Sequence, residues 1–348
     1  MNPMILPVFL PHLGCRERCL FCNQKATHEG SSPLFSIQKF IETSLLNFPK
    51  NKKNREKQVA FYGGSFTAIN REDQIRYLRE IQPFIDSGLI DSIRISTRPD
   101  ALNEKILSFL KEYGVKTVEI GGQSMDDEVL SLSHRGHFAE DTTSSTYRLK
   151  RWGFEVGIHL MMGLPGDSRD LFLKSIDRVI DLRPDFVRIH PALVLRGAPL
   201  ETLWKEGRYS PLSLGEVVGW LKKGILKLER ASIRVARIGL QPTQKLEEDC
   251  LAGPYHPALH QLVDSAIAFD MAAHLLRTYP NGSQALLLCN PKEVSNVRGQ
   301  RNENISRLKE KFELNEILVQ GKDPVPRGTL ILKNIEGEIA IRREELSI

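Results

Sequence analysis

The chain has 348 residues, of which 41% are hydrophobic and 26% are charged, and its formal net charge is +5. This composition is typical of a folded globular protein and excludes a disordered or fibrous chain. No apolar stretch approaches the roughly 18 residues that a membrane-spanning helix requires. The first residues show neither a basic leader nor a small-residue cleavage site, so the sequence predicts a cytoplasmic protein.

Over the first two thirds of the chain, short apolar, β-branched segments alternate with longer segments of helical periodicity. Such alternation predicts repeated βα units around a parallel sheet. The predicted strands cover residues 5–10, 58–63, 92–97, 117–122, 155–162 and 185–193. Six units predict a partial (β/α)6 barrel of the TIM type, whose functional face is formed by the segments that directly follow the strands.

A segment rich in Gly, Pro and charged residues, 239–257, interrupts this periodicity and predicts a domain boundary. We therefore expect a barrel domain over residues 1–240 and a small α/β C-terminal domain over residues 254–348. The elements predicted for the second domain are a helix over 257–276, a strand over 284–289, a helix over 303–314 and a strand pair over 328–334 and 337–343.

Three of the five cysteines form one cluster directly after the first predicted strand. Cys15, Cys19 and Cys22 have the spacing C-x3-C-x2-C, whereas Cys250 and Cys289 stand alone and are predicted to be small buried side chains. An odd number of cysteines with three of them clustered argues against a disulfide framework and for metal ligands.

Two kinds of metal site fit three clustered thiolates. A structural zinc ion would need a fourth ligand, for which His12 and His28 are the nearby candidates. A [4Fe–4S] cluster held by three thiolates would leave one iron open to another ligand. A single run of ligands after a barrel strand favours the cluster, because zinc sites of this kind usually present two paired ligand sets.

The spacing C-x3-C-x2-C, with Phe21 just before the last cysteine, resembles the signature of the radical S-adenosylmethionine (SAM) enzymes. In that family the amino and carboxylate groups of SAM occupy the open iron. The resemblance therefore implies a [4Fe–4S] cluster and SAM as cofactors, with Cys15, Cys19 and Cys22 as metal ligands. The residues that it implies as SAM contacts are Phe21, Gly63, Gly64, Ser65, Ser96, Arg98, Gln123, Arg135 and His159.

Elementary chemistry is consistent with these assignments. Glycines let backbone approach a ligand closely, and a guanidinium such as that of Arg98 can fork onto a carboxylate. Each residue alone also fits an ordinary structural role: Gly63 and Gly64 a tight turn, and His159 a core histidine. The occurrence of such residues at the ends of several predicted strands favours a SAM site over these separate structural roles.

Residues 119–137, 159–167 and 190–213 together resemble the radical SAM domain of the Elongator catalytic subunit and its stand-alone bacterial relatives. This resemblance covers about residues 4–238 and implies tRNA or another structured RNA as substrate. It also implies an electron donor such as flavodoxin or ferredoxin. Residues 254–348 show no Gly-rich acetyl-CoA loop, so the resemblance does not extend to an acetyltransferase domain. His190, at the end of the sixth strand, is expected to face the substrate.

Two basic segments, residues 222–237 and 297–309, are candidates for RNA contact. In the second segment Arg298 and Arg301 precede a predicted helix whose N-terminal N–H groups favour a phosphate. The alternative is that both arginines pair with a carboxylate such as Glu293 or Glu303 and only stabilise the fold.

The combined hypothesis is a radical SAM enzyme that cleaves SAM reductively at a [4Fe–4S] cluster. The resulting 5′-deoxyadenosyl radical would serve the modification of a base in tRNA or other RNA. Two alternatives stay open at this point: a radical SAM enzyme that acts on a tetrapyrrole or other small metabolite, and a non-catalytic iron–sulfur protein that binds RNA.

Overall fold

The computed structural model describes residues 3–24, 26, 37–47, 55–277, 284–333 and 337–347. His28, one of the two candidate fourth zinc ligands, lies outside the described residues. The chain forms two compact units. Unit 1 consists of Met1–Leu212 and Ile233–Tyr255, and unit 2 consists of Ser213–Ser232 and His256–Ile348. The two domains expected from the sequence, 1–240 and 254–348, stay a prediction.

Thirteen strands are present in the described part of the chain. They are β1 (Met4–Leu10), β2 (Lys57–Gly63), β3 (Ser92–Thr97), β4 (Val115–Gln123), β5 (Glu155–Met162), β6 (Phe186–Pro191), β7 (Val194–Leu195), β8 (Arg234–Ile238), β9 (Cys250–Ala252), β10 (Gln284–Cys289), β11 (Glu316–Gly321), β12 (Thr329–Lys333) and β13 (Glu338–Arg342). Unit 1 contains β1 to β9, and unit 2 contains the rest.

The α-helices of the same described residues also number thirteen. They are α1 (Ile37–Leu46), α2 (Arg71–Arg79), α3 (Gln82–Asp86), α4 (Glu104–Glu112), α5 (Asp127–Leu132), α6 (Ala139–Arg151), α7 (Arg169–Leu182), α8 (Pro199–Lys205), α9 (Leu214–Arg230), α10 (Gln244–Asp249), α11 (Leu259–Arg277), α12 (Val294–Arg298) and α13 (Glu303–Phe312). Short 3-10 helices cover Phe66–Ala68, Pro99–Ala101, Pro291–Glu293, Gln300–Asn302 and Arg343–Glu345.

A seven-stranded parallel sheet, in the order β1-β2-β3-β4-β5-β6-β8, forms the centre of unit 1. Helices lie between successive strands along the chain; α1 contacts β1, α4 contacts β4, and α6 contacts both β4 and β5. This is the expected partial TIM-like barrel, and the prediction of the fold is confirmed. All six predicted strands are present, although the last one ends at Pro191.

Strand β8 is the one member of this sheet that the sequence interpretation missed. Residues 222–237 had been treated as a single basic segment, but Arg234–Ile238 is a strand and Leu214–Arg230 is a helix. Ile233, Val235 and Ile238 are β-branched residues, which favour an extended strand there. The candidate RNA-contact segment 222–237 thus comprises the end of a helix in unit 2 and a strand in unit 1, and its contact with RNA stays a prediction.

Side-chain hydrogen bonds at the helix starts fix where the strand-to-helix connections of unit 1 end. Asn70 accepts a hydrogen bond from the backbone N–H of Asp73, and Asn103 accepts one from Ile106. Ser168 caps α7 in the same manner. Each cap satisfies an N–H group that has no partner within the helix, so the helices begin at defined residues.

Unit 2 has its own sheet, in the order β11-β10-β12-β13, where β10 and β11 are parallel and the other pairs are antiparallel. The predicted helix over 257–276, the strand over 284–289 and the C-terminal strand pair are all present, whereas β11 was missed. Within this unit α11 contacts α9, α12 and α13. None of the described helices combines the length and the apolar character needed to cross a bilayer.

The contact between β5 and β6 allows a direct test of the register in unit 1. A Cβ atom at Gly157 would lie 2.3 Å from Cζ of Phe186, a ring that is 0% exposed. We expect Gly157→Ala to lower the free energy of unfolding by about 1–3 kcal/mol, because the ring must leave its position. Chemical denaturation measures this change.

Gly219→Ala is the control for this substitution. Its Cβ would meet no atom within 4 Å, and the residue lies inside α9. Alanine there should leave stability unchanged or raise it by up to about 1 kcal/mol. A Gly157→Ala protein as stable as the wild type would contradict the register that the structure gives.

Candidate active site

The inner face of the seven-stranded sheet borders a cavity of about 850 Å³, a volume typical of small-molecule sites. Side chains alternate between the two faces of a strand, so every second residue faces this cavity. On β3, Arg94 and Ser96 line the cavity, whereas Ile93 and Ile95 belong to the hydrophobic core on the other face. The same alternation along β4, β5 and β6 makes the inner face polar and the outer face apolar.

The cavity brings together the site residues predicted for unit 1. It is lined by Cys15, Cys19, Phe21, Cys22, Gly63, Gly64, Ser65, Ser96, Arg98, Gln123, Arg135, His159 and His190. These residues come from loops and strand ends far apart in the sequence, so the fold and not local sequence places them in one cavity. Their roles stay predictions. Arg298 and Arg301 lie in unit 2 and do not line this cavity.

The three clustered cysteines lie on a tight loop after β1. Backbone hydrogen bonds run from Cys15 N to His12 O (3.1 Å) and from Cys22 N to Cys19 O (3.1 Å). Arg135 joins this loop to β4, because its guanidinium donates to Sγ of Cys19 (3.0 Å) and to the carbonyl of Gly121 (2.6 Å). One cationic side chain therefore lies in direct contact with a cysteine sulfur.

The chemistry of the three thiols fits a cationic iron–sulfur cluster. Burial raises the pKa of Cys22 to about 12, with further contributions from the neighbouring sulfurs of Cys19 and Cys15. Burial and the sulfur of Cys19 also raise the pKa of Cys15. Three thiolates this close together repel one another, so a positively charged group must accompany their joint deprotonation. Three sulfurs are one short of the usual four cluster ligands.

The two remaining cysteines are in other surroundings. Cys289 is buried and Cys250 is half-buried, so the expectation of small buried side chains holds fully for the first and partly for the second. Burial raises the pKa of both thiols.

Gly64 allows β2 to approach the cysteine loop closely. A Cβ atom there would lie 1.9 Å from the carbonyl oxygen of Leu13, so no other residue fits. The backbone N–H of Gly64 donates to Leu10 and that of Ser65 donates to Leu13 (2.8 Å). In the structure this glycine thus allows two parts of the chain to lie in contact. The sequence analysis predicts instead that it allows the backbone to approach a ligand. Gly63, with φ of 105°, lies beside it.

Arg98 already has a carboxylate partner in the protein. Its guanidinium forks onto Asp100 with distances of 2.9 and 3.0 Å and also donates to the carbonyl of Gly136 (3.0 Å). The hydroxyl of Ser65 accepts from the backbone N–H of Arg98 and contacts Thr97 Oγ1 at 3.0 Å. The fork that the sequence assigned to a SAM carboxylate is therefore engaged by Asp100, two residues along the chain.

Several polar atoms near the cysteine loop are buried without a hydrogen-bond partner among the described residues. They are Oγ of Ser96, Nε of Arg135 and Nδ1 of His137. Buried polar groups usually have partners, so unsatisfied ones beside a cavity indicate where a ligand makes hydrogen bonds. Gln123 adds a further sign, because this non-glycine residue ends β4 with φ of 68°, a conformation that costs free energy.

Glu119 on β4 is the main feature of the cavity that sequence analysis missed. Its side chain is 0% exposed and forms ion pairs with three basic residues. Its partners are Arg94 Nη1 (2.7 Å), Arg188 Nε (3.0 Å) and Nη2 (3.1 Å), the hydroxyl of Tyr62 (2.9 Å), and Nε2 of His159. All five residues line the cavity.

These contacts keep the carboxylate of Glu119 ionised although it is completely buried. Burial alone would raise its pKa, but the hydrogen bond from His159 and the positive charges of His159, Arg188 and Arg94 reverse the effect and lower the pKa well below its ordinary value. The signal in the sequence was present: a charged residue in the middle of each of β3, β4 and β6 is unusual in strands that are otherwise apolar.

Comparison with protein families gives two matches. A model described as "Radical SAM superfamily" matches residues 9–179, and one described as "Radical_SAM C-terminal domain" matches residues 184–268. The first of these contains the three cysteines and the strands β2 to β5, so the family match and the cavity involve the same part of the chain.

Individual relatives are similar over part of their length. The tRNA uridine(34) acetyltransferase of Methanocaldococcus jannaschii is 38% identical over 257 residues, which are 62% of this chain and 46% of that protein. Elongator complex protein 3 of Homo sapiens is 29% identical over 196 residues, which are 51% of this chain and 36% of that protein. The chain thus spans about half or less of the length of these two curated relatives.

Among solved structures, Elp3 of the archaeon Methanocaldococcus infernus with an N-terminal deletion superposes with a TM-score of 0.60 at 24% identity. The match covers 76% of this chain and 62% of that chain. At this identity the likeness concerns the fold, and it agrees with the partial barrel described above.

The ion pairs of Glu119 predict a strong and pH-dependent effect of Glu119→Gln. The substitution leaves the buried guanidinium group of Arg188 without a charge partner and leaves Arg94 only its 3.6 Å contact with Glu155, so we expect a loss of about 3–5 kcal/mol in the free energy of unfolding at neutral pH. Because the pKa of Glu119 is lowered in the folded state, its stabilisation is present above the unfolded-state pKa of about 4.3 and declines as the pH falls further.

Chemical denaturation of both proteins between pH 3 and 7 tests this prediction, with Glu206→Gln as control. Glu206 pairs with Arg208 on the surface and should contribute at most about 1 kcal/mol. A difference between wild type and Glu119→Gln that does not shrink below about pH 4 would contradict the assignment of an ionised Glu119.

Proposed function

The chain belongs to the radical SAM superfamily, and from this premise we propose that it binds a [4Fe–4S] cluster and SAM in the cavity of unit 1 and cleaves SAM reductively. The observation that carries the proposal is the cysteine loop. Cys15, Cys19 and Cys22 line one cavity together with buried, unpartnered polar atoms of Ser96 and Arg135. A cluster would bind the cysteine sulfurs, and a polar ligand with several hydrogen-bonding groups would supply partners for the buried polar atoms.

The three cysteine sulfurs would hold the cluster, and Arg135 would stabilise charge on Cys19 through its 3.0 Å contact. When bound, a reduced cluster and SAM supply a 5′-deoxyadenosyl radical, and the protein orients the reactants and excludes water. Phe21 packs against the buried residues Val129 and Leu164, and this packing would hold the cysteine loop in place.

The proposed SAM contacts divide into two kinds. Ser96, Gln123 and His159 line the cavity from the ends of β3, β4 and β5 and would contact SAM directly. Arg98 and Ser65 are held by Asp100 and Thr97, so their contribution would be to fix the strand ends around the ligand. Gly63 and Gly64 would act through the backbone.

We propose a base in tRNA as the substrate. Support comes from the relative of M. jannaschii, which is named a tRNA uridine(34) acetyltransferase, and from the net charge of +5. An external one-electron donor such as flavodoxin or ferredoxin would reduce the cluster, and the expected location is the cytoplasm. His190, which lines the cavity from β6, would face the base.

Anaerobically reconstituted protein tests this function in two steps. The wild type should bind about four irons per chain and convert SAM to 5′-deoxyadenosine and methionine. Cys15→Ala, Cys19→Ala and Cys22→Ala should lose both properties, whereas Cys250→Ala and Cys289→Ala serve as controls that retain them. Mass spectrometry of tRNA nucleosides from cells with and without the protein should then reveal one missing modified nucleoside.

Two outcomes would contradict the proposal. Tight zinc binding without SAM binding, in protein prepared with excess iron and without oxygen, would contradict the proposed radical SAM reaction. Unchanged tRNA nucleosides together with efficient SAM cleavage would support the radical SAM reaction and contradict tRNA as its substrate.

A second part of the proposal concerns Arg298 and Arg301 in unit 2, which we assign to phosphate groups of the RNA. Both side chains are exposed, and neither forms an ion pair with any residue that the structure describes. Glu293 instead accepts hydrogen bonds from the backbone N–H of Gly328, and Glu303 lies 3.8 Å from Arg307. The alternative in which these glutamates hold the two arginines finds no support in these contacts.

Replacement of both Arg298 and Arg301 by Ala should weaken tRNA binding for different sequences alike, because phosphate contacts carry no sequence information. The salt dependence of binding should flatten by about one to two phosphate equivalents, as filter binding at several salt concentrations would show. SAM cleavage without RNA and the thermal midpoint should not change. A lower thermal midpoint with unchanged tRNA affinity would assign both arginines to stability.

A further inference from the structure

The far side of the cavity from β4 carries an excess of positive charge. Arg188 on β6 and Arg237 on β8 are paired in register on neighbouring strands, and both line the cavity. Like charges on adjacent strands are unfavourable unless an opposite charge lies between them or close by. The carboxylates available to the arginines of this inner face therefore decide whether the charges balance.

Two glutamates form ion pairs with three of the four arginines on this face. Glu119 pairs with Arg94 and Arg188. Glu155 lies 3.6 Å from Arg94 and 3.4 Å from Arg234. These contacts leave the guanidinium of Arg237 without a carboxylate partner among the described residues. It forms no ion pair and no side-chain hydrogen bond with any residue in the described parts of the chain, although it is half-buried.

The surroundings of Arg237 disfavour its charge. Burial and the positive charge of Arg188 lower the pKa of its guanidinium. Arg188 donates hydrogen bonds through Nη2 to Glu119 and to the hydroxyl of Tyr62, whereas its Nε lies 3.0 Å from Glu119 without forming a hydrogen bond. Its Nη1 has no partner among the described residues. Two guanidinium groups thus offer N–H donors that have no acceptor among those residues. Such an unfavourable arrangement is typical of sites that are completed by a ligand.

His190 adds a second, independent sign on the same two strands. Its Nδ1 is buried and has no hydrogen-bond partner among the described residues. Burial, together with His159 and Arg188, lowers its pKa to about 3, so the ring is neutral near pH 7. The ring lies edge-on to that of His159, with centroids 6.0 Å apart. An unpartnered ring nitrogen beside two donor-bearing arginines indicates a polar group bound between them.

We propose that Arg237, Nη1 of Arg188 and His190 form a binding site for a phosphate group of the substrate nucleotide. The inference rests on the proposed function, because an RNA substrate is what brings a phosphate into the cavity. Guanidinium groups match the geometry of phosphate oxygens and bind them through two parallel hydrogen bonds. The site would hold the nucleotide next to β6 and β8.

Anaerobically reconstituted wild-type protein and three variants test the site by calorimetric titration. The probes are uridine 5′-monophosphate, uridine and inorganic phosphate. The variants are Arg237→Gln, Arg237→Lys and the control Arg208→Gln, which removes one charge from an exposed arginine paired with Glu206.

The wild type should bind uridine 5′-monophosphate more tightly than uridine. Arg237→Gln should weaken binding of the monophosphate about tenfold, the loss of one charge-assisted hydrogen bond, and leave binding of uridine unchanged. The affinity of Arg237→Lys for the monophosphate should lie between those of the wild type and Arg237→Gln, because lysine keeps the positive charge but cannot form two parallel hydrogen bonds. The thermal midpoint of Arg237→Gln should equal or exceed that of the wild type, since the substitution removes a repulsive charge.

Three results would overturn the site. They are equal binding of the monophosphate by wild type and Arg237→Gln, a lower thermal midpoint of Arg237→Gln, and stronger displacement of the monophosphate by acetate than by inorganic phosphate. The last would identify a carboxylate as the ligand. Inorganic phosphate binding needs neither SAM cleavage nor RNA, so its failure leaves the proposed function standing. Conversely, Arg237-dependent phosphate binding by a protein that does not modify tRNA would retain the site without that function.

Discussion

The buried carboxylate of Glu119 is the interaction on which the inner face of the barrel depends. Strands β3 and β6 carry arginines into a sheet whose other face is a hydrophobic core, and desolvation of a guanidinium costs several kcal/mol when no charge compensates it. Glu119 lies on β4, near the middle of the sheet order, where it reaches Arg94 on one side and Arg188 on the other. Without this carboxylate the polar face and the fold would be incompatible.

The alternation of side chains along each strand separates stability from chemistry. Residues such as Ile95 and Val118 pack against helices in the core, while the residues next to them line the cavity. Hydrophobic periodicity therefore predicted the strands well, because it reports the outer face. The cysteine spacing directs the prediction of a site to the loop after β1, because ligands of a single loop are set by local sequence, and the structure places this loop at the cavity.

What the sequence could not predict is the pairing between distant residues. Glu119 and Arg188 are 69 positions apart, and only the sheet order makes them neighbours. The partner of Arg98 was close, at Asp100, but the fork was assigned to a ligand because charge pairing within a turn has no periodic signal. Strand β8 was missed for a related reason: Arg234 and Arg237 are typical of a solvated basic segment, and only the sheet places them beside a cavity.

The hydrogen-bonding capacity of Glu119 explains why one arginine is left over. An ionised carboxylate offers about four acceptor positions, and Tyr62, His159 and the two flanking arginines already fill them. Arg237, one strand further, can gain no hydrogen bond from it. Glu155 is shared between Arg94 and Arg234. The surplus charge is therefore a consequence of the strand order combined with the number of carboxylates, and an anion that enters from outside is what balances it.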